Sequence, residues 1–278
     1  MANIFMRFPG GKKKALTLSY DDGVEQDIRL VEILNRHGLK GTFNINSGLL
    51  SPEGTVHPKG KIHRVMTKQQ CLDLWKDSPH EVAVHSLTHP QLEILPPHLI
   101  TRELLDDRRN IEQMFGTVTR GGAYPYGTYN QTVLDCMKAC GLVYARTVRS
   151  THSFTIPQNW LELPATCHHK DEALPELTDR FVNDTPPKTP WLFYVWGHSY
   201  EFEESDNWHI IEEFAAKVGG KDDIWYATNI EIYDYVHSFE QLQISVDGTL
   251  VINPTAHTIH ACIEGQEYAI PPRDCVRI

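Results

Sequence analysis

The sequence predicts an α/β fold: a parallel sheet wound with its helices into a barrel of roughly seven or eight βα rounds. Three observations carry that expectation. Short apolar or β-branched runs alternate with amphipathic helical segments over most of the chain. The chain has 278 residues, 41% hydrophobic and 22% charged, enough for one large barrel with a sizeable core. Aspartates, histidines and tight turns directly follow several of the strand segments, where the βα loops of a barrel build active sites.

Taken in order, the first strand runs through Ala15, Leu16, Thr17, Leu18 and Tyr20, after a basic lead-in at Lys12-Lys13-Lys14. It ends in Asp21-Asp22-Gly23, by itself a turn signal, because Asp hydrogen-bonds local backbone and Gly accepts positive φ. Val24, Ile28, Val31 and Leu34 then recur at helical spacing, and Gly38 is placed to stop that helix. Thr42 to Asn46 forms a short strand with Phe43 and Ile45 on one side. The long Gly-, Pro- and His-bearing loop from Ser47 to Val65 is expected to cover a functional face.

Thr67 followed by Gln70 is a capping-box pattern opening a helix with Cys71, Leu74 and Trp75 on its apolar face. Glu81 to Val84 is a brief strand leading into His85. Ile100, Leu104, Ile111 and Phe115 mark a long amphipathic helix closed by Gly116. A strand is expected within Val118 to Tyr124, then the turn Pro125-Tyr126-Gly127, a helix over Thr128 to Cys140 and a strand over Leu142 to Arg146. Ser150 to Pro190 shows little periodicity beyond a possible strand at Leu161 to Leu163. Trp191 to Trp196 is the clearest buried strand, an unbroken apolar and aromatic run. A helix bearing Ile210, Ile211, Phe214 and Val218, a strand at Ile224 to Ala227 and a helix from Asn229 to Leu242 complete the barrel. The tail changes character: Ile244 to Val246 and Thr249 to Ile252 flank Asp247-Gly248, a hairpin signal, and Thr258 to Ile263 supplies a third strand. The expected division is a barrel over residues 1–242 and a small β extension over 243–278.

A net charge of −10 argues against nucleic acid as a partner, since phosphate backbones are bound by clustered Lys and Arg. The six cysteines contain no C-x-x-C pair and read as reduced packing residues. Met1 to Gly11 lacks the apolar run of a signal peptide and no later segment reaches membrane-spanning length. A soluble, cytoplasmic chain with no membrane partner is expected.

Asp21, Asp22, His85, His89, Tyr126 and His198 all follow strand segments and therefore converge on one rim if the fold is right. His85 and His89 are four apart, so one turn can direct both imidazoles at a single ion. With 15 histidines in the chain such a pair is weak evidence by itself, and His57, His63 and His168-His169 read as surface or loop residues. A carboxylate with two imidazoles suits Zn²⁺ or a similar divalent ion, which acidifies bound water and polarises a carbonyl. Of two adjacent aspartates, one can bind the ion and the other accept a proton. His198 could protonate a leaving group, or equally be a core-edge histidine bonded to backbone.

The segments Ser19-Tyr20-Asp21-Asp22-Gly23, His85-Ser86-Leu87-Thr88-His89-Pro90, Ala123-Tyr124-Pro125-Tyr126 and Trp196-Gly197-His198 together resemble the polysaccharide deacetylase family, also called the NodB-homology or carbohydrate esterase 4 family. The likeness spans about residues 15–240. It implies a distorted (β/α) barrel and metal-dependent removal of acetyl groups, chiefly from amino sugars. It further implies Asp21 as catalytic base, Asp22, His85 and His89 as ligands of a metal that is usually zinc, the Tyr126 backbone N–H at the oxyanion, and His198 as general acid. Two departures stand out. Ala123 occupies the place where the third motif opens with an arginine that orients the base, and no Asp-x-x-Asp-Trp segment supports the acid histidine. Arg146 or Arg149, after the next strand, are candidates for the missing guanidinium by position, the alternative being that they are surface residues. Trp196 replaces a small aliphatic residue, and Trp160, Trp225 and Tyr200 could stack on sugar faces or pack in the core. The resulting expectation is a metal-dependent hydrolase acting on an acetylated sugar or oligosaccharide. The alternatives are an amidohydrolase on a small non-sugar amide and a carbohydrate-binding pseudoenzyme.

Overall fold

The structure, a computed structural model, describes residues 3–278. Its centre is β2 (Lys14–Asp21), buried along its whole length. The sheet follows the order β7 (Leu163–Ala165), β6 (Tyr144–Ser150), β5 (Gly121–Ala123), β4 (Glu81–Val84), β3 (Gly41–Ile45), β2, β9 (Trp191–Gly197), β8 (Cys167–His168), every neighbour parallel. β10 (Ile224–Tyr226) adds to the first residues of β2, from Lys14 to Leu16. The two ends of this path, β7 and β8, are separated in the chain by Thr166 alone. Thr166 donates its N–H to Tyr194 O at 2.8 Å, while its own carbonyl accepts from His152 N–H at 2.9 Å. The sheet therefore curls until one extended segment serves both of its ends, a distorted barrel rather than an even ladder.

Helices α1 (Gln26–Arg36), α2 (Lys68–Trp75), α3 (Pro97–Phe115), α4 (Gln131–Ala139), α5 (Leu174–Asn183), α6 (Tyr200–Glu204), α7 (His209–Val218) and α8 (Asn229–Glu240) connect the strands. Local chemistry fixes their ends. Thr67 and Gln70 exchange both bonds of a capping box ahead of α2, an arrangement that contributes about 1 kcal/mol. Gly116 adopts φ 72° to end α3.

One apolar cluster lies between the strands and helices, with Leu18, Leu30, Phe43, Leu104, Phe193 and Phe214 among its members. A second fills the barrel with Tyr144, Tyr194, Trp196 and Ile232. Polar side chains share that interior in closed pairs: Thr17 Oγ1 donates to Asn229 Oδ1 at 3.0 Å, and Asn229 Nδ2 donates to Tyr194 Oη at 2.6 Å. Both faces of the central strands are buried, which is why they read as unbroken runs.

Several expectations are corrected. Ile28 faces solvent, and α1 buries Leu30, Val31, Ile33 and Leu34 instead. The strand expected from Val118 is confined to Gly121–Ala123, with Val118 exposed. The aperiodic stretch holds α5, whose Leu174, Leu177 and Phe181 are buried. In the tail, β11 (Gln243–Ile244) and β12 (Leu250–Asn253) form the expected antiparallel pair, joined by β15 (Asp274–Arg277). The third expected strand forms as β13 (Ile259–Ile263) but in another sheet, between β14 (Gln266–Ile270) and β1 (Ile4–Arg7). β1 was not anticipated, because its partner lies some 250 residues away and leaves no local trace. All six cysteines are free; five are buried, and Cys275 is exposed rather than packed. Among the described residues no helix is long and apolar enough to cross a membrane.

Candidate active site

The strand register decides which side chains meet. Asp21 pairs with Asn44, Ile45 with Val84, Val84 with Gly122, and Tyr20 with Gly197, so the ends of β2, β3, β4, β5 and β9 align on one rim. The turns leaving these strands are strained: Asp22 (φ 79°), Ser86 (62°), His89 (55°) and Tyr126 (58°) are all left-handed without being glycine. Such a conformation costs about 1–3 kcal/mol per residue and persists where surrounding contacts over-determine it. Those contacts are present. Asn46 Nδ2 donates to the carbonyls of His85 and Ser86. Buried Asp107 accepts from Ser47 N–H at 2.8 Å and from His85 N–H at 3.1 Å.

Asp22, His85 and His89 offer ligand atoms that lie within 4.8 Å of one another. Asp22 Oδ1 is 3.7 Å from His85 Nε2 and 3.9 Å from His89 Nε2. His85 Nδ1 lies 2.9 Å from Ala123 O. Because a carbonyl only accepts, that nitrogen carries the ring proton of the neutral imidazole, and Nε2 turns a bare lone pair toward Asp22. Metal-ligating histidines typically have this arrangement, with the far N–H fixed on a carbonyl, so the donor set fits a divalent ion. Burial would raise the Asp22 carboxyl, but a bond from His63 and the charges of His85 and His198 hold it well below the usual range. His63 Nε2 sits 3.1 Å from Asp22 Oδ2, the oxygen turned away from His85 and His89.

Asp21 is buried, and its two oxygens have different partners. Oδ1 accepts from Asn44 Nδ2 at 2.8 Å, and Oδ2 is bonded to the guanidinium of Arg146. His85 Nε2 and His198 Nε2 approach Oδ2 at 3.8 and 3.9 Å. Burial pushes the Asp21 carboxyl up, and Arg146, followed by His85 and His198, more than reverses that. Arg146 is 1% exposed and lies over the Trp196 ring at 4.2 Å. The guanidinium missing at Ala123 is thus supplied from β6, one strand over, while Arg149 is exposed. Trp196 serves as its platform.

His198 follows β9 with Nε2 toward Asp21 and Nδ1 3.5 Å from Glu201 Oε2. Tyr126 is 59% exposed, its ring edge-on to His89 at 4.6 Å. All six residues singled out by sequence therefore stand at one rim. Other residues at this rim carry no signal in the sequence. His63 touches Asp22 from the long loop, and His168 and His169 are not surface residues, each lying 3.2 Å from Glu201 Oε2. Gly197 is required there, since a Cβ on it would come within 2.0 Å of His169 Nδ1. Trp160 packs on Tyr233 and His237, and Trp225 on Phe8 and Tyr235. Of the proposed sugar-stacking rings only Tyr200 is at the rim, against His63 and His198.

Residues 9–145 match the family model described as polysaccharide deacetylase. The chain belongs to the polysaccharide deacetylase family. The matched stretch of this family member holds Asp21, Asp22, His85, His89 and Tyr126, and stops one residue short of Arg146. Over 156 residues it is 25% identical to a chitooligosaccharide deacetylase of Rhizobium leguminosarum bv. phaseoli, covering 55% of this chain and 60% of that relative's length. Its fold is similar to that of a Mycobacterium smegmatis protein described as a polysaccharide deacetylase, with TM-score 0.57, 17% identity, and coverage of 86% and 96% of the two chains. A family 4 carbohydrate esterase from Streptomyces lividans, solved with acetate, is similar at TM-score 0.50 and 16% identity, with coverage of 77% and 92%.

Proposed function

We propose that this polysaccharide deacetylase-family chain is a metal-dependent hydrolase removing an acetyl group, N- or O-linked, from a sugar or oligosaccharide. One observation carries the reading: an Asp-His-His set with a bare imidazole lone pair lies beside a separate, arginine-held aspartate, with a histidine opposite. Asp22, His85 and His89 would hold the ion, for which zinc is the first choice by ligand chemistry. When bound, such an ion supplies Lewis acidity to the carbonyl and to water.

The remaining work falls to the chain's own groups. Asp21, kept ionised by Arg146 and steadied by Asn44, accepts the proton of the attacking water as its oxygen joins the acetyl carbon. The developing oxyanion is received by the Tyr126 backbone N–H, on a turn whose left-handed φ is set before substrate arrives. His198 Nε2 then gives a proton to the departing sugar nitrogen or oxygen as its bond to the acetyl carbon breaks, leaving acetate. His63 holds the outer oxygen of Asp22 and so leaves the inner one for the ion. The binding-only alternative drew on the missing motif arginine, and Arg146 beside Asp21 weighs against it.

In the same reading, residues 1–242 form the catalytic barrel and 243–278 an extension tied to the chain start through β1 and β13. The five buried free thiols support a reducing, cytoplasmic setting. Incubation with an N-acetyl chito-oligosaccharide and with a generic acetyl ester tests the function. Acetate release abolished by a chelator and restored by zinc is expected; an inert, zinc-loaded protein on both substrates would leave a binding role.

A further inference from the structure

Glu201 collects an unusual number of cationic or proton-bearing neighbours for one carboxylate. Its Oε2 lies 3.2 Å from His168 Nε2, 3.2 Å from His169 Nε2 and 3.5 Å from His198 Nδ1, and Oε1 lies 3.3 Å from Lys170 Nζ. The His198 backbone N–H also donates to Oε2 at 3.3 Å. His168, His198 and Glu201 satisfy the distance requirement for holding an ion, but one hydrogen bond decides against that use. Lys170 N–H donates to His168 Nδ1 at 3.1 Å. A backbone N–H only donates, so Nδ1 holds the lone pair and the ring proton of neutral His168 sits on Nε2, pointing at Glu201. That nitrogen turns its proton toward the carboxylate and is not a free ligand.

The carboxylate is consequently fixed from several sides, and the one nearby ring whose other nitrogen reaches the catalytic rim is His198. The Glu201 carboxylate, 3.5 Å from Nδ1, favours the His198 tautomer with its proton on Nδ1 and a lone pair on Nε2, ready to be protonated and to discharge toward the substrate. Trp196 braces the pair from the side, edge-on to His168 at 4.6 Å and to His198 at 5.8 Å.

We infer that Glu201 is the positioning residue for His198, and that His168, with its tautomer locked by the Lys170 backbone, is the positioning residue for Glu201. This rests on the reading of His198 as the proton donor, but it assigns to β8 and to the first turn after β9 a part that no motif in the sequence carries.

Imidazole ¹⁵N NMR of the full chain, together with steady-state kinetics on the acetylated substrate, tests it. In wild type the His198 signals should report a proton on Nδ1 and those of His168 a proton on Nε2. E201A should disperse the His198 tautomer and lower kcat about 10- to 100-fold, the usual range for a partner one shell out, with KM nearly unchanged. E201Q, which keeps an acceptor oxygen, should retain the His198 tautomer and recover part of kcat, which separates positioning from general loss of structure. H168A should move the same signals by less. In an H198A background, E201A should add almost no further loss, because the two act as a unit. Unchanged His198 signals in E201A overturn the inference, as do equal losses from E201A with and without His198. A second equivalent of bound zinc that disappears in H168A overturns it as well. If H198A keeps full turnover, the proton-donor role fails, and the tautomer signals alone still decide whether Glu201 and His168 set the ring.

Discussion

Two groups of two histidines and a carboxylate stand on one rim, and they differ in which ring nitrogen the backbone has already engaged. Around Asp22, His85 gives its Nδ1 proton to Ala123 O and turns a bare Nε2 to the carboxylate. Around Glu201, His168 Nδ1 takes the Lys170 N–H, so a protonated Nε2 faces the carboxylate. Composition and distances are nearly the same, yet one set turns a bare lone pair to its carboxylate and fits an ion, while the other turns a ring proton to its carboxylate and does not. The partner of the far nitrogen decides the chemistry of the near one. Spacing in the sequence cannot report that partner, because Ala123 comes from a different strand than His85.

The widest separation between the two groups should appear in metal content. H85A or D22A should lose the bound divalent ion and, with it, essentially all turnover, while H168A should keep one equivalent. Metal analysis of the purified variants checks this, and equal loss from H85A and H168A would erase the distinction. Next comes D21N, which retains the ion but removes the proton acceptor; kcat should fall by about 10²- to 10⁴-fold, the range for a general base. An undiminished kcat would move the base elsewhere.

Arg146 takes the contrast a step further, since it holds ionised a buried carboxylate with no bound histidine donor of its own. R146M leaves the Asp21 charge buried and unpaired, which should cost about 3–5 kcal/mol of stability and lower kcat. R146K, with a point charge in place of a fork, should fall between. Chemical denaturation and turnover check both; a fully stable R146M would show that the Asn44 bond and the nearby imidazoles suffice.

Which parts were legible follows from the range of the interactions. The βα alternation, the capping box at Thr67, the Gly116 stop and the polar ends of β2, β4 and β9 are local patterns that the sequence displays directly. α5 was missed although Leu174, Leu177 and Phe181 recur at helical spacing, because the Pro, Thr and His around it obscured the period. β1 pairs across nearly the whole chain, so nothing near Ile4 announced it. Arg146 was visible as a position but not as a partner of Asp21, and His63 and His168 resembled any loop histidine until the fold placed Asp22 and Glu201 beside them. The Asp22, His85 and His89 cluster lies on two short motifs, so its convergence was readable; the Glu201 cluster depends on β8 meeting the turn after β9, and that long-range meeting leaves no motif.

A fourth carboxylate, with no imidazole or guanidinium bound to it, supplies the smallest and cleanest test. Glu81 begins β4, at the opposite end of that strand from His85, and accepts from Tyr144 Oη at 2.7 Å, Thr42 Oγ1 at 2.9 Å and Ile230 N–H at 3.0 Å. Burial outweighs those bonds and pushes its carboxyl up to about 7, the reverse of Asp22 and Glu201, which their histidines keep ionised. The folded state therefore holds a proton that the unfolded chain releases above its ordinary value. The stabilisation is complete at low pH, declines as pH rises past the unfolded value and is lost above about 7. E81Q cannot ionise, so its stability relative to wild type should rise by on the order of 1–3 kcal/mol between mildly acidic and mildly alkaline pH, with turnover little changed. Urea unfolding of both proteins at the two pH values measures the difference. Curves that stay parallel would mean that Tyr144, Thr42 and the Ile230 amide solvate the charge as well as water does, and that burial without a cation need not separate this end of the barrel from the catalytic rim.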